Sequence, residues 1–139
     1  HDNYKVADLG DLHFNTSLPL VDCLGNISLE LAMKLLSTVG LSEASLMIDS
    51  YKHLSTGQQY RFRLVHALAT NPDVIIADEF CNCLDEITAA VIACNIRYII
   101  DSKPVCMVAA GVHESYAEFL KPDTMIQKTL GSGYAIKDK

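Results

Sequence analysis

The sequence predicts an α/β fold: a helical part followed by a mostly parallel sheet with flanking helices. Three observations predict it. Residues 28–39 and 56–70 carry apolar side chains at helical spacing. Asp73–Asp78 and Val105–Ala110 are short, continuous apolar runs rich in β-branched residues, the pattern of parallel strands buried on both faces. Residues 85–100 read as a helix between those two runs, giving the order strand, helix, strand.

Taken in order, residues 1–20 are mixed and take no assignment, and Leu18-Pro19-Leu20 blocks a helix before Val21. From Ser28, a suitable N-cap, the positions Leu29, Leu31, Ala32, Leu35, Leu36 and Val39 recur at helical spacing until Gly40 ends the helix. Residues 43–48 read as a short helix capped by Ser42, and 49–54 as a connector. A third helix over 56–70 buries Phe62, Val65, Leu68 and Ala69, and Asn71-Pro72 closes it. The helix over 85–100 marks one side with Leu84, Ile87, Thr88, Val91, Ile92, Asn95, Ile96 and Ile99. After the second buried run, 114–120 makes a short helix ended by Lys121-Pro122. Residues 124–128 and 134–137 are short strands joined by a turn at Gly131-Ser132-Gly133. The organisation read from this is 1–20 unassigned, 21–70 helical, and 71–139 α/β.

Composition narrows the function classes. Half of the 139 residues are hydrophobic and 20% are charged, enough apolar side chain for a core and the balance of a soluble globular chain. A net charge of −6, with the Lys and Arg residues scattered, gives no direct nucleic-acid signal. No apolar stretch approaches the roughly 20 residues that span a bilayer. The five cysteines lack framework spacing and read as reduced thiols in a cytoplasmic setting; Cys81-Asn82-Cys83 reads as two small loop residues rather than a metal pair. The chain begins at His1 without a methionine or a signal-peptide pattern, which reads as a piece of a longer protein or a processed product.

Three segments carry chemistry. Leu54-Ser55-Thr56-Gly57-Gln58 opens a helix, where free N–H groups and the helix dipole favour an anion, and Gly57 permits close approach. Read alone, Ser55 is equally an ordinary N-cap. Asp78 and Glu79 end a buried strand, where open α/β sheets bind ligands. One carboxylate there can serve a magnesium ion and the other an attacking water. An acidic pair after a strand is also a common solvated loop start. His113 follows the second buried run and can bond a phosphate oxygen or a water, although a loop histidine is commonly just an exposed polar residue.

The joint order selects among these readings. Residues 54–85 read LSTGQQYRFRLVHALATNPDVIIADEFCNCLD. This run closely resembles the ABC ATPase family: LSxGQ, Arg63 four residues after the second glutamine, an alanine-rich helix, NPDxxxxDE, then LD. The resemblance is tight over 54–85 and looser over 20–130. It implies a partial P-loop NTPase fold, with 21–70 as the helical subdomain and signature helix and 71–139 as the Walker B half of the core. Ser55, Thr56, Gly57 and Gln58 then match the nucleotide-contacting signature and Leu84-Asp85 the D-loop. Asp78 matches the magnesium-serving Walker B aspartate, Glu79 the catalytic glutamate and His113 the switch histidine. The implied cofactors are ATP and Mg2+, and the implied partner is a second nucleotide-binding unit in a head-to-tail homodimer. A membrane subunit or a soluble protein would be a further partner.

Several features depart from the family: Thr56 replaces the commoner signature glycine, Cys81-Asn82-Cys83 replaces small polar residues, and two further departures bear on function. Phe80 stands where transporter-type members usually have proline, which favours a soluble mechanical or regulatory ATPase over a transporter subunit. The run is also similar, more weakly, to soluble ABC ATPases found beside or fused to acetyltransferase-like modules. Second, nothing fits G-x-x-x-x-G-K-[ST]. The family has that P-loop upstream, on a strand expected beside the Walker B strand, and a Q-loop ahead of the helical region, where His13 and Asn15 are available. The chain alone is therefore expected to be inactive and the complete protein an ATPase. The alternatives are a non-catalytic ABC-like binding or regulatory module and an ATP-binding subunit of a membrane transporter.

Overall fold

A computed structural model describes residues 3–112, 116–128, 131 and 133–138. Its elements are β1 (Val6–Asp8), α1 (Leu20–Cys23), α2 (Leu29–Thr38), α3 (Ala44–Ile48), a 3-10 turn (Tyr51–His53), α4 (Thr56–Ala69), β2 (Val74–Ala77), α5 (Glu86–Asp101), β3 (Cys106–Ala109), α6 (Ala117–Leu120), β4 (Thr124–Lys128) and β5 (Tyr134–Asp138). The predicted helices and strands form with most ends within a residue of those read; α5 and β5 each run one residue further, and the described part of the helix read over 114–120 is Ala117–Leu120. The unassigned N-terminal segment supplies β1. The short helix α3 takes Glu43 as its N-cap residue, without a side-chain hydrogen bond, in place of the expected Ser42 cap.

A parallel sheet runs β1-β2-β3, with Val6 opposite Val74 and Val74 opposite Cys106. β4 and β5 make a separate antiparallel pair, Thr124 facing Asp138. Both edges of β2 are thus occupied, by β1 and β3. A strand pairs once on each edge, so the expectation of a P-loop strand beside the Walker B strand is corrected. A further strand of this sheet has room beyond β1 or β3.

The second correction concerns burial. On one face, Ala7, Leu9, Ile75 and Ala77 join a core with Leu35 and Leu36 of α2, Phe62, Leu64, Val65 and Leu68 of α4, and Ile92, Ala93 and Ile96 of α5. On the other face, Val6, Ile76 and Val108 are exposed. The strands were expected to be covered on both faces, but among the described residues no element crosses this one. α5 is likewise rotated from its predicted stripe: Ala89, Ile92, Ala93 and Ile96 turn inward while Ile87 and Val91 face solvent.

α4 is the hub of the helical layer. It buries Tyr60, Phe62, Leu64, Val65, Ala67 and Leu68, a wider arc than the predicted stripe. Its arginines end on backbone carbonyls. Arg61 Nη1 donates to Val39 O and Gly40 O, each at 3.0 Å, at the C-terminal end of α2, where a cation is favoured. Arg63 Nη1 donates to Leu9 O at 3.4 Å, just past β1. Phe14 packs edge-on to Phe62 and Tyr51. Phe62 is fully buried in this cluster. Phe62→Ala is expected to lower unfolding free energy by about 3–5 kcal/mol, read as a lowered urea midpoint.

Candidate functional site

Parallel strands align their C-terminal ends, so Asp8, Asp78 and the residues after Ala109 emerge on one side of the sheet. Asp78 and Glu79 are both exposed there. Glu79 N–H donates to Asp78 Oδ1 at 2.9 Å, so one carboxylate shapes the turn that displays the other. The backbone is left-handed at Glu79 (φ 51°) and at Cys81 (φ 59°), an uncommon state for residues with a Cβ. Between them Phe80 turns inward, fully buried, with its ring edge-on to Tyr116 at 5.2 Å. Phe80 N–H donates to Ala110 O at 2.7 Å, tying the turn to the end of β3. Tyr116 fits because residue 111 is glycine: a Cβ there would lie 1.5 Å from the Tyr116 hydroxyl oxygen.

The start of α4 forms the second part of the site. Ser55 and Gln58 make a capping box: Ser55 Oγ accepts from Gln58 N–H at 3.3 Å, and Gln58 Oε1 accepts from Ser55 N–H at 2.9 Å. Both side chains are therefore engaged with their own helix end. Thr56 is exposed. Gly57 faces the loop after Glu79, where an added Cβ would meet Leu84 Cδ2 at 3.2 Å and Cys83 O at 3.7 Å. The close approach read from Gly57 is thus made, in this chain, by its own residues 83–84.

Asp85 is the N-cap residue of α5. Its Oδ1 accepts from Thr88 N–H at 2.9 Å, and the hydrogen bonds from Thr88 hold its carboxyl below the usual carboxylate range. His113 lies outside the described residues. Among the other predicted site residues, the fold brings α4's first two turns against the loop that carries Glu79 to Asp85.

Two contributors were not singled out as site residues in the sequence. Tyr60 Oη accepts from the buried Cys81 N–H at 2.9 Å, joining α4 to the Asp78-Glu79 turn. Burial, first of all, keeps the Tyr60 hydroxyl protonated and pushes the Cys81 thiol up to about 12. Tyr60 lies four residues before Leu64 and eight before Leu68, so helical spacing marks it as buried, though it does not reveal its partner. Phe80 was visible as a departure from proline, but its role as an anchor emerges only from packing.

A shallow groove of 430 Å³ lies along the outer edge of β1, lined by Lys5, Asp8, Asp11, His13, His66 and Thr70 among others. His66 stacks on Phe14 with ring centroids 4.6 Å apart, and burial lowers its pKa.

The comparisons agree with this architecture. Residues 10–82 match the family model described as ABC transporter. Over 113 residues the chain is 30% identical to the methionine import ATP-binding protein MetN of Clostridium acetobutylicum, covering 81% of this chain and 35% of that protein. It is 38% identical over 86 residues to MetN of Clostridioides difficile (60% of this chain, 26% of that protein). It is 43% identical over 75 residues to the phosphate import ATP-binding protein PstB of Mycobacterium intracellulare (52% and 26%). In three dimensions it resembles a dimeric ATP-binding cassette in a post-hydrolysis state bound to ADP and Pi, with a TM-score of 0.72 at 22% identity, covering 88% of this chain and 58% of that one. An inward-facing metal-chelate-type ABC transporter matches with a TM-score of 0.70 at 12% identity, covering 98% and 59%.

The fold is that of a partial P-loop NTPase, a class of mononucleotide-binding α/β domain. Within that class, the chain belongs to the ABC transporter family. It spans about a quarter to a third of the length of these curated relatives. No helix among the described residues is long and apolar enough to cross a membrane.

The lowered His66 pKa sets a direction for acid sensitivity. The folded chain binds this proton only at a lower pH than the unfolded chain, whose histidine titrates near 6.5. Unfolding therefore takes up a proton between those two values, and stability falls as the pH drops through that window. His66→Gln is expected to flatten this part of the decline, seen by comparing urea midpoints of the two proteins from neutral pH to mildly acid pH.

Proposed function

We propose that this chain forms the signature and Walker B part of an ABC ATPase that hydrolyses ATP at a head-to-tail dimer interface. The observation that carries the reading is the packing of the α4 N-terminus against the loop that displays Asp78 and Glu79, through Gly57 to Leu84 and Tyr60 to Cys81. One rigid unit then presents an anion-favouring helix end and two exposed carboxylates at the ligand-binding end of a parallel sheet.

In this reading Glu79 accepts a proton from the attacking water. The water oxygen bonds the γ-phosphorus as the bond to the ADP oxygen breaks. Backbone N–H groups at Thr56 and Gly57 meet the γ-phosphate bound by the opposite unit, Ser55 and Gln58 hold that helix end open, and Asp85 fixes the start of α5 beside it. His113 steadies the γ-phosphate. A hard divalent ion served by one carboxylate and substrate phosphates fits an exposed Asp78 with one oxygen free of the Glu79 amide. Bound there, Mg2+ would neutralise charge on the phosphates.

The β- and γ-phosphate cradle must come from a P-loop outside these residues. The exposed Val6, Ile76 and Val108 face and the outer edge of β3, unpaired among the described residues, support an additional strand and helix on this sheet. The work driven by ATP has two readings. The named relatives are import ATP-binding proteins, which favours a cytoplasmic subunit reaching the membrane through a partner. Phe80 in place of proline favours a soluble mechanical or regulatory ATPase.

Mg-ATP turnover should be undetectable for this chain alone and appear when a P-loop-bearing segment is joined to it. In the completed protein, Glu79→Gln should lower kcat by about a hundredfold or more while ATP-dependent dimers persist. Turnover by the isolated chain, or full-rate turnover by the Gln variant, contradicts the assignment.

A further inference from the structure

We infer that Tyr60 is a positioning residue for Glu79: its hydroxyl, delivered from the first turns of the signature helix, holds the backbone turn on which the carboxylate stands. The inference deepens the proposed function and rests on its reading of Glu79.

The turn needs holding. Two residues with side chains, Glu79 and Cys81, adopt left-handed backbone within three positions, and neither is the glycine or asparagine that tolerates it best. Most contacts that maintain the turn are local or come from β3: Asp78 Oδ1 to Glu79 N–H, Asn82 N–H to Glu79 O at 3.0 Å, Leu84 N–H to Cys81 O at 3.1 Å, and Ala110 O to Phe80 N–H. The Cys81 amide, at the second left-handed residue, instead finds its acceptor 21 residues back, in Tyr60. Tyr60 and Cys81 are both buried, so water does not replace the bond if it is lost.

Tyr60→Phe keeps the ring and removes this bond. The orphaned Cys81 amide then favours a relaxed backbone, and Glu79, two residues earlier in the same turn, shifts with it. Nucleotide grip lies elsewhere, in the P-loop and the helix end, so the loss falls on the chemical step.

The test uses the full protein that carries this chain and a P-loop. Residue-resolved amide exchange should quicken at Cys81 by about tenfold in Tyr60→Phe. kcat for Mg-ATP should fall by about tenfold with KM changed less than about twofold. Cys81→Gly in the Tyr60→Phe background should recover much of the lost kcat, because glycine adopts the left-handed state freely. Unchanged Cys81 exchange overturns the hydrogen bond's role, and unchanged kcat with faster exchange overturns the positioning role. Loss without rescue by glycine, alongside a lowered Tm, shows a general packing effect and also overturns it. Full turnover by Glu79→Gln would remove the carboxylate reading and Tyr60's positioning role with it. The Cys81 exchange would then still report whether the bond holds the turn.

Discussion

The structure depends on one helix having to satisfy neighbours on almost every side. α4 buries apolar side chains around a wide arc, yet it carries two arginines and begins at a surface-exposed capping box. Both arginines reach backbone carbonyls of other segments, Arg61 at the end of α2 and Arg63 just past β1, while Arg63 Nε is buried without a hydrogen-bond partner. Those contacts tie α4 to the end of α2 and to the residue after β1. In this packing Gly57 and Tyr60 fall beside the loop after β2, and the two halves of the site meet.

That arrangement gives the acidic turn its form. A strand end offers carboxylates to solvent without orienting them. Here the inward-turned Phe80 acts as an anchor under Tyr116, and the left-handed residues on either side of it swing Glu79 outward. Such anchoring needs a large side chain and a cavity to receive it. Gly111 supplies part of that cavity by leaving room for the Tyr116 hydroxyl. Phe80 is thus a packing solution for this turn.

The open face of the sheet matters for the same reason. Val6, Ile76 and Val108 are residues suited to a buried strand, and they lie against solvent within the described residues. Their sequence pattern speaks of two covered faces, while the packing present covers one. A chain that spans a quarter to a third of its curated relatives is consistent with that imbalance.

Much of this was legible in the residues themselves. Apolar periodicity, caps and breakers located α2, α4, α5, β2 and β3 to within a residue or two, because these signals are local. The linked run from Leu54 to Asp85 identified the family, because several short motifs at set separations carry more information than any one of them. What the sequence left open was set by contacts between distant residues. β1 was invisible, since three residues make no periodic pattern and Val6–Asp8 is defined only by pairing with β2. The side of α5 that turns inward, the strand that neighbours β2 and the partner of Tyr60 were likewise undecided. Each depends on which surfaces meet after collapse, and residues 21 positions apart in the chain become hydrogen-bonded only when α4 settles against the sheet.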